Sequence, residues 1–190
     1  MSDDQLFLQI PDDVKVALAN YWITFNDLEW RLARLMTFVV EDPYIGYTIF
    51  HQTPNLRKKV SLLKELFYAT EWLLDDKNDS QSDKVQKGIK RDAIDKFVDE
   101  YNALIEFRNK LAHRKFEIQG DRVFLWKTDY GVKAKPLVRE ILSVSKLDRQ
   151  RKKCSHLADS IHTELVPKLH LKKHGVSSRR ETPSKRVLYM

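Results

Sequence analysis

IKRDAIDKFVDEYNALIEFRNKLAH, Ile89 to His113, is the stretch on which the reading of the fold turns. On a wheel advancing 100° per residue its apolar residues Ile94, Phe97, Val98, Tyr101, Leu104, Ile105, Leu111 and Ala112 share one face. The spacing predicts one amphipathic helix running from about Gly88 or Lys90 to His113. Arg108 falls near the middle of the apolar face. A charge there is costly unless it is paired, or unless the face opens onto a cleft or a second molecule. Beside it runs a polar strip of Asn102, Asn109 and His113, related by steps of seven and four residues, with Glu106 at its outer edge. A fixed cation, an amide and an imidazole thus collect at the C-terminal end of one helix, where the dipole favours positive charge.

Working outward, more helices surround this one. Pro11 with Asp12 and Asp13 makes a helix start, because proline suits the first turn and the acids complement the dipole. Val14, Leu18, Tyr21, Trp22, Phe25, Leu28, Leu32, Leu35 and Phe38 then recur at helical spacing to about Val40, a length that suits a bundle. A break at Glu41 to Gly46 leads into a short apolar piece, Tyr44 to His51. Thr53-Pro54-Asn55 signals a new helix, whose inner face is Leu56, Val60, Leu63, Leu66, Phe67 and Leu73, ending near Leu74. The polar stretch Asp75 to Lys84 reads as an exposed loop.

Beyond His113, KFEIQGDRVFLWKTDYGVKAKP holds two alternating runs rich in β-branched and aromatic residues, divided by Gly120-Asp121 and Tyr130-Gly131. A small β-hairpin over about 115–136 is expected. A last amphipathic helix, Leu137 to about Leu169, has a basic middle of Arg149, Arg151, Lys152 and Lys153. The expected architecture is all-α: a bundle of about four to five helices with a hairpin inserted before the last. One domain should cover 1–170, with a basic, disordered tail over 171–190.

Composition agrees with a folded helical chain. Of the 190 residues 42% are hydrophobic and 32% charged, and only five glycines and six prolines are present to turn a many-stranded sandwich. The net charge of +7 is a weaker argument for nucleic acid than it looks. Six basic side chains between Lys172 and Arg186, set against Glu181, place five of those charges in the tail. The single cysteine, Cys154, cannot form an intramolecular disulfide, and no Cys/His set has zinc-ligand spacing, so neither metal nor cofactor is expected. The N-terminus carries acids where a signal peptide has lysines, and no apolar run approaches the roughly 20 residues of a membrane span. A cytoplasmic protein without membrane contact is the expectation.

The remaining candidates have plain structural readings. A histidine near a helix end more often caps than catalyses, and a half-buried arginine is usually matched by a structural acid, here Glu29 or Asp27. His51, His156, His162, His170 and His174 are scattered without ligand spacing. Trp22, Trp30 and Trp72 sit among apolar helical neighbours and read as core; Trp126, in the hairpin, is the one surface candidate. Cys154 lies among Arg151, Lys152 and Lys153 but has no evident base partner.

The run Phe107-Arg108-Asn109-Lys110-Leu111-Ala112-His113 resembles the signature of the HEPN superfamily: an arginine, usually a polar residue after it, and a histidine a few positions on, at the end of a long helix. R-x4-H alone is a short pattern, whereas RN-x-x-AH closing an amphipathic helix in a small helical protein is more specific. The likeness extends to the helical organisation of 11–170; its specific motif covers six positions.

The resemblance implies a helical bundle that forms a homodimer, with the motifs of two chains facing each other across a composite cleft, and a metal-independent endoribonuclease activity. RNA cleavage without a metal needs a base for the 2′-hydroxyl, an acid for the departing 5′-oxygen and a cation for the phosphorane charge. By this likeness His113 would transfer protons, Arg108 would bind phosphate and stabilise the transition state, and Asn109 would orient the histidine or the substrate. Asn102, Lys110 and Glu106 are lesser, substrate-contacting candidates that read equally as solvated helix residues. A 2′,3′-cyclic phosphate product, a toxin-antitoxin or antiviral role, and an antitoxin or regulatory protein as partner also follow from the resemblance. One departure is informative: the toxin subgroup often carries a tyrosine two residues beyond the histidine, where this chain has Lys115. Control through that tyrosine is therefore not expected. Two other readings stand beside the nuclease: a non-catalytic HEPN-like module binding RNA, a nucleotide or a protein, and a structural helical protein in which Arg108 merely pairs with Glu29.

Overall fold

In a computed structural model, residues 9–72, 81–126 and 139–166 are described, with side chains described outside 70–72 and 81–90. The order is α1 (Asp12–Val40), α2 (Pro43–Gln52), α3 (Leu56–Trp72), α4 (Gln81–His113), β1 (Lys115–Gln119), β2 (Arg122–Trp126), β3 (Arg139–Leu142) and α5 (Val144–Ser160). A π-helical turn, Ile161–Leu165, continues α5. The chain is thus mostly helical, with a small antiparallel sheet ahead of the last helix.

Caps set the helix starts. The Asp42 carboxylate accepts from the Ile45 amide at 2.9 Å and Pro43 opens α2. The Asn55 side chain accepts from the Lys58 amide at 2.8 Å and starts α3. The Ser143 hydroxyl accepts from the Lys146 amide at 3.2 Å and starts α5. Gly46 lets α2 lie close on α1: a Cβ there would stand 2.6 Å from the Thr37 Cα.

α1 is the central helix and packs against α2, α3 and α5, while α4 packs against α3 and α5. The buried side chains form one continuous cluster, with Tyr21, Phe25, Leu28 and Leu32 of α1 among its fully buried members alongside Ile94, Tyr101 and Ile105 of α4. The inward faces are those the helical spacing marks.

Three expectations are corrected. α4 begins at Gln81 and not near Gly88, so Gln81 to Lys84 is helix where a loop was expected. These polar residues include no glycine or proline, the two strongest helix breakers, so nothing in their type prevents a helix. Residues 73–80, with Leu73, Leu74 and the rest of that loop, lie outside the described residues. Second, the β-segment is three strands, in order β1-β2-β3: the expected hairpin is formed by β1 and β2, and β3 is added to it. β1 and β2 pair from Lys115↔Trp126 to Gln119↔Arg122 around a two-residue turn in which Gly120 has φ 57°, a conformation natural to glycine. β3 then pairs on the other edge of β2, Val123↔Leu142 to Trp126↔Arg139. Third, the last helix starts at Val144 and not at Leu137, because Arg139 to Leu142 extends along β2 and buries Leu142. The Tyr130-Gly131 divider and the tail over 171–190 lie outside the described residues. Among the described residues no helix is long and apolar enough to cross a membrane.

Candidate functional site

The last two turns of α4 are held against α1 by aromatic packing. Phe107, buried, meets the Tyr21 ring edge to face at 5.3 Å between centroids. The adjacent Arg108 is half-buried and lays its guanidinium 5.4 Å from the centre of the Trp22 ring. Its Nη1 donates to the Asn109 side-chain oxygen at 3.4 Å, while its Nε is buried with no partner. The hydroxyls of Tyr21 and Tyr101 are likewise buried and unpartnered. Three buried polar groups near the motif thus have no hydrogen-bond partner among the described residues.

No carboxylate among the described residues forms an ion pair with Arg108. Asp27 is taken by Arg31, 2.8 Å away. Glu29 is half-buried, and burial raises its carboxyl above the usual range; the charges of Lys59 and Arg108 act in the opposite sense without overcoming it. Burial also pushes the phenols of Tyr21 and Tyr101 well above their ordinary value, so both remain neutral donors.

The motif residues separate by depth. Arg108 and Asn109 are in contact and half-buried, whereas His113 is exposed and hydrogen-bonds to neither among the described residues. Five helical steps, about 7.5 Å of rise and about 140° of rotation, separate Arg108 from His113. Asn102 is half-buried. Glu106 is exposed and pairs with Arg57 of α3 at 3.0 Å, and Lys110 lies 3.8 Å from Glu140 of β3. Ala112, expected on the apolar face, is exposed, while Leu111 beside it is buried in the core.

Glu140 organises the end of α4. It receives Arg114 at 2.8 Å and also Lys146 from α5. Burial by itself would raise its carboxyl, but the hydrogen bond from Lys146 and the charges of Lys146, Lys110 and Arg114 hold it below the usual range. One acid on β3 thus ties the residue after His113 to the start of α5. Sequence reasoning missed Glu140, since only β-pairing carries it to α4. It also missed Trp22 as a platform for Arg108, and took Trp30 for core although it is 53% exposed. The side chain of Trp72 lies outside the described residues. Trp126 is half-buried, its indole donating to Glu117 and Arg139 stacked 5.3 Å away.

A separate groove of about 690 Å³ runs between α4 and α5, with Ala103, Leu104 and Leu157 along it and Arg149, Lys153 and His156 on one wall. None of Arg108, Asn109 and His113 lines it. Cys154 of α5 does not line it; it is fully buried, and burial pushes its thiol up to about 12.

No family model matches the chain, and no curated protein or solved structure matches it.

Proposed function

We propose that the chain is a metal-independent endoribonuclease of the HEPN type, acting as a homodimer on RNA with Arg108, Asn109 and His113 of each copy at a composite site. What carries this reading is the state of Arg108. A guanidinium held half-buried on an aromatic ring, in ion-pair contact with no carboxylate among the described residues, can meet an anion from outside. The structural alternative requires an Arg108 to Glu29 pair, and that pair is not made. His113, exposed one and a half turns further on, has the access that a proton-transfer group needs. Scission would proceed by attack of the 2′-oxygen on phosphorus as its proton leaves to a base, with the 5′-oxygen departing as it takes a proton from an acid. The products are a 2′,3′-cyclic phosphate and a 5′-hydroxyl. A toxin or antiviral role, controlled by an antitoxin or regulatory protein, belongs to the same proposal.

The basic wall of the α4/α5 groove favours a second reading, a non-catalytic module that holds RNA through its phosphates. The deciding experiment is cleavage of end-labelled single-stranded RNA in EDTA by the wild type and by His113→Ala at matched oligomeric state. Cleavage by the wild type alone supports the nuclease. Binding without cleavage by either protein moves the assignment to the module.

A further inference from the structure

α1 buries one side and leaves another uncovered. Val16, Ile23 and Trp30 are 59%, 67% and 53% exposed. They stand seven residues apart, so at 100° per residue each is turned only about 20° from the next, and together they form one apolar stripe. Asp12 and Arg34, both exposed, extend the same line, each eleven positions from Ile23 and again within about 20° of it. Asp12 is joined to Lys15 on its own helix, at 2.9 Å, and the Arg34 guanidinium rests 5.0 Å from the Trp30 ring. The exposed polar side chains Asn20, Asn26 and Asp27 stand between them, so the line alternates apolar and polar groups.

The stripe is symmetric about Ile23 in apolar character and carries opposite charges at its two ends, Asp12 and Arg34; Asp27, beside it, is paired with Arg31. We infer that it is a homodimer interface, in which α1 of a second copy of this chain packs antiparallel across a two-fold axis at Ile23. Ile23 then meets Ile23 of the second copy, Val16 meets Trp30, and Asp12 meets Arg34 at both ends. The parallel arrangement would set Asp12 on Asp12 and Arg34 on Arg34, like charges together. Lys15 and Arg31, the other cations along the helix, project to opposite sides of the antiparallel pair and do not oppose one another. A two-fold perpendicular to the helix keeps equivalent side faces on one side of the dimer. The two Trp22–Arg108 sites therefore share a side. That they make one composite site rests on the nuclease reading; the interface does not.

The test is sedimentation equilibrium of the full chain, up to concentrations on the order of 100 µM, well above the micromolar range in which modest interfaces associate. The wild type is expected to dimerise, and Ile23→Glu to weaken dimerisation at least tenfold with its circular dichroism and melting unchanged, because the site is exposed. Arg34→Asp is expected to weaken the dimer and Asp12→Arg with Arg34→Asp to restore it. Ile23→Cys should oxidise to a disulfide dimer, since the axis brings the residue against its own copy. A monomeric wild type, or a dimer indifferent to Ile23→Glu, overturns the proposal. Loss of the dimer in Ile23→Glu with no RNA cleavage by the wild type leaves the interface standing and removes only the nuclease. Cleavage by a dimer indifferent to Ile23→Glu does the reverse.

Discussion

The guanidinium of Arg108, on α4, lies 5.4 Å from the ring of Trp22, on α1, and among the described residues it forms no ion pair, although Glu29 feels its charge from further off. The ring's π-face compensates a cation by on the order of 1 kcal/mol, less than a hydrogen-bonded ion pair supplies in a half-buried position. Arg108 is therefore held in place without a paired carboxylate, and its Nε has no acceptor among the described residues. A position of this kind costs stability in the free protein and gains from an arriving anion.

Replacing Arg108 separates the two effects. Arg108→Met, similar in length and uncharged, is expected to leave unfolding free energy equal to the wild type or up to about 2 kcal/mol above it, while abolishing RNA cleavage. Arg108→Lys keeps the charge but loses the planar fork, and should lower kcat/KM at least tenfold. Urea titration and single-turnover cleavage measure these. A strongly destabilised Arg108→Met would show that the guanidinium is satisfied within the fold.

Glu29 gives stability a pH dependence of known sign. Its raised carboxyl, caused first by burial, makes the native chain bind more protons than the unfolded chain just above the ordinary glutamate range. This contribution is fully present below about pH 4 and is lost as pH rises through the raised value. Glu29→Gln cannot ionise, so its Tm is expected above that of the wild type at pH 7 and level with it near pH 4. A lower Tm at pH 7 would mean that Lys59 and Arg108 stabilise the carboxylate by more than burial penalises it.

The Cys154 thiol, fully buried and pushed up to about 12, should be inert in the folded protein. Reaction with an aromatic disulfide reagent at pH 8 is expected only at the rate of unfolding, and promptly in guanidinium chloride. Cys154→Ser, which buries a hydroxyl in place of a thiol, should cost about 1–3 kcal/mol. Rapid native-state labelling would contradict the burial.

The contact of α2 with α1 depends on Gly46. A methyl group there meets the Thr37 backbone at 2.6 Å, and backbone cannot swing aside as a side-chain tip can. Gly46→Ala should destabilise by about 1–3 kcal/mol through overpacking, although alanine is the better helix former by about 1 kcal/mol. Chemical denaturation decides the balance, and a stabilised variant would place the helices further apart.

Periodicity reaches as far as one helix and no further. It marked the buried faces of α1, α3 and α4, the Gly120-Asp121 turn, and the anomaly of a charge at Arg108 in an apolar slot, because each is encoded in residues a few positions apart. It could not tell Trp22 from Trp30. They lie on one helix, eight residues and about 80° apart, and only the approach of α4 makes one a platform for Arg108 while the other stays exposed. It could not place Arg139 to Leu142 either. Four residues ahead of an amphipathic helix extend its pattern by chance, and the hydrogen bonds offered by the open edge of β2 draw them into a strand. Through that strand Glu140 reaches Lys110, Arg114 and Lys146. The sequence by itself determined which residues share a face and which position carries the unusual charge. Only the tertiary structure decided what each face meets, including that Arg108 meets an aromatic ring and no acid, since such contacts join residues far apart in the chain and depend on how the helices cross.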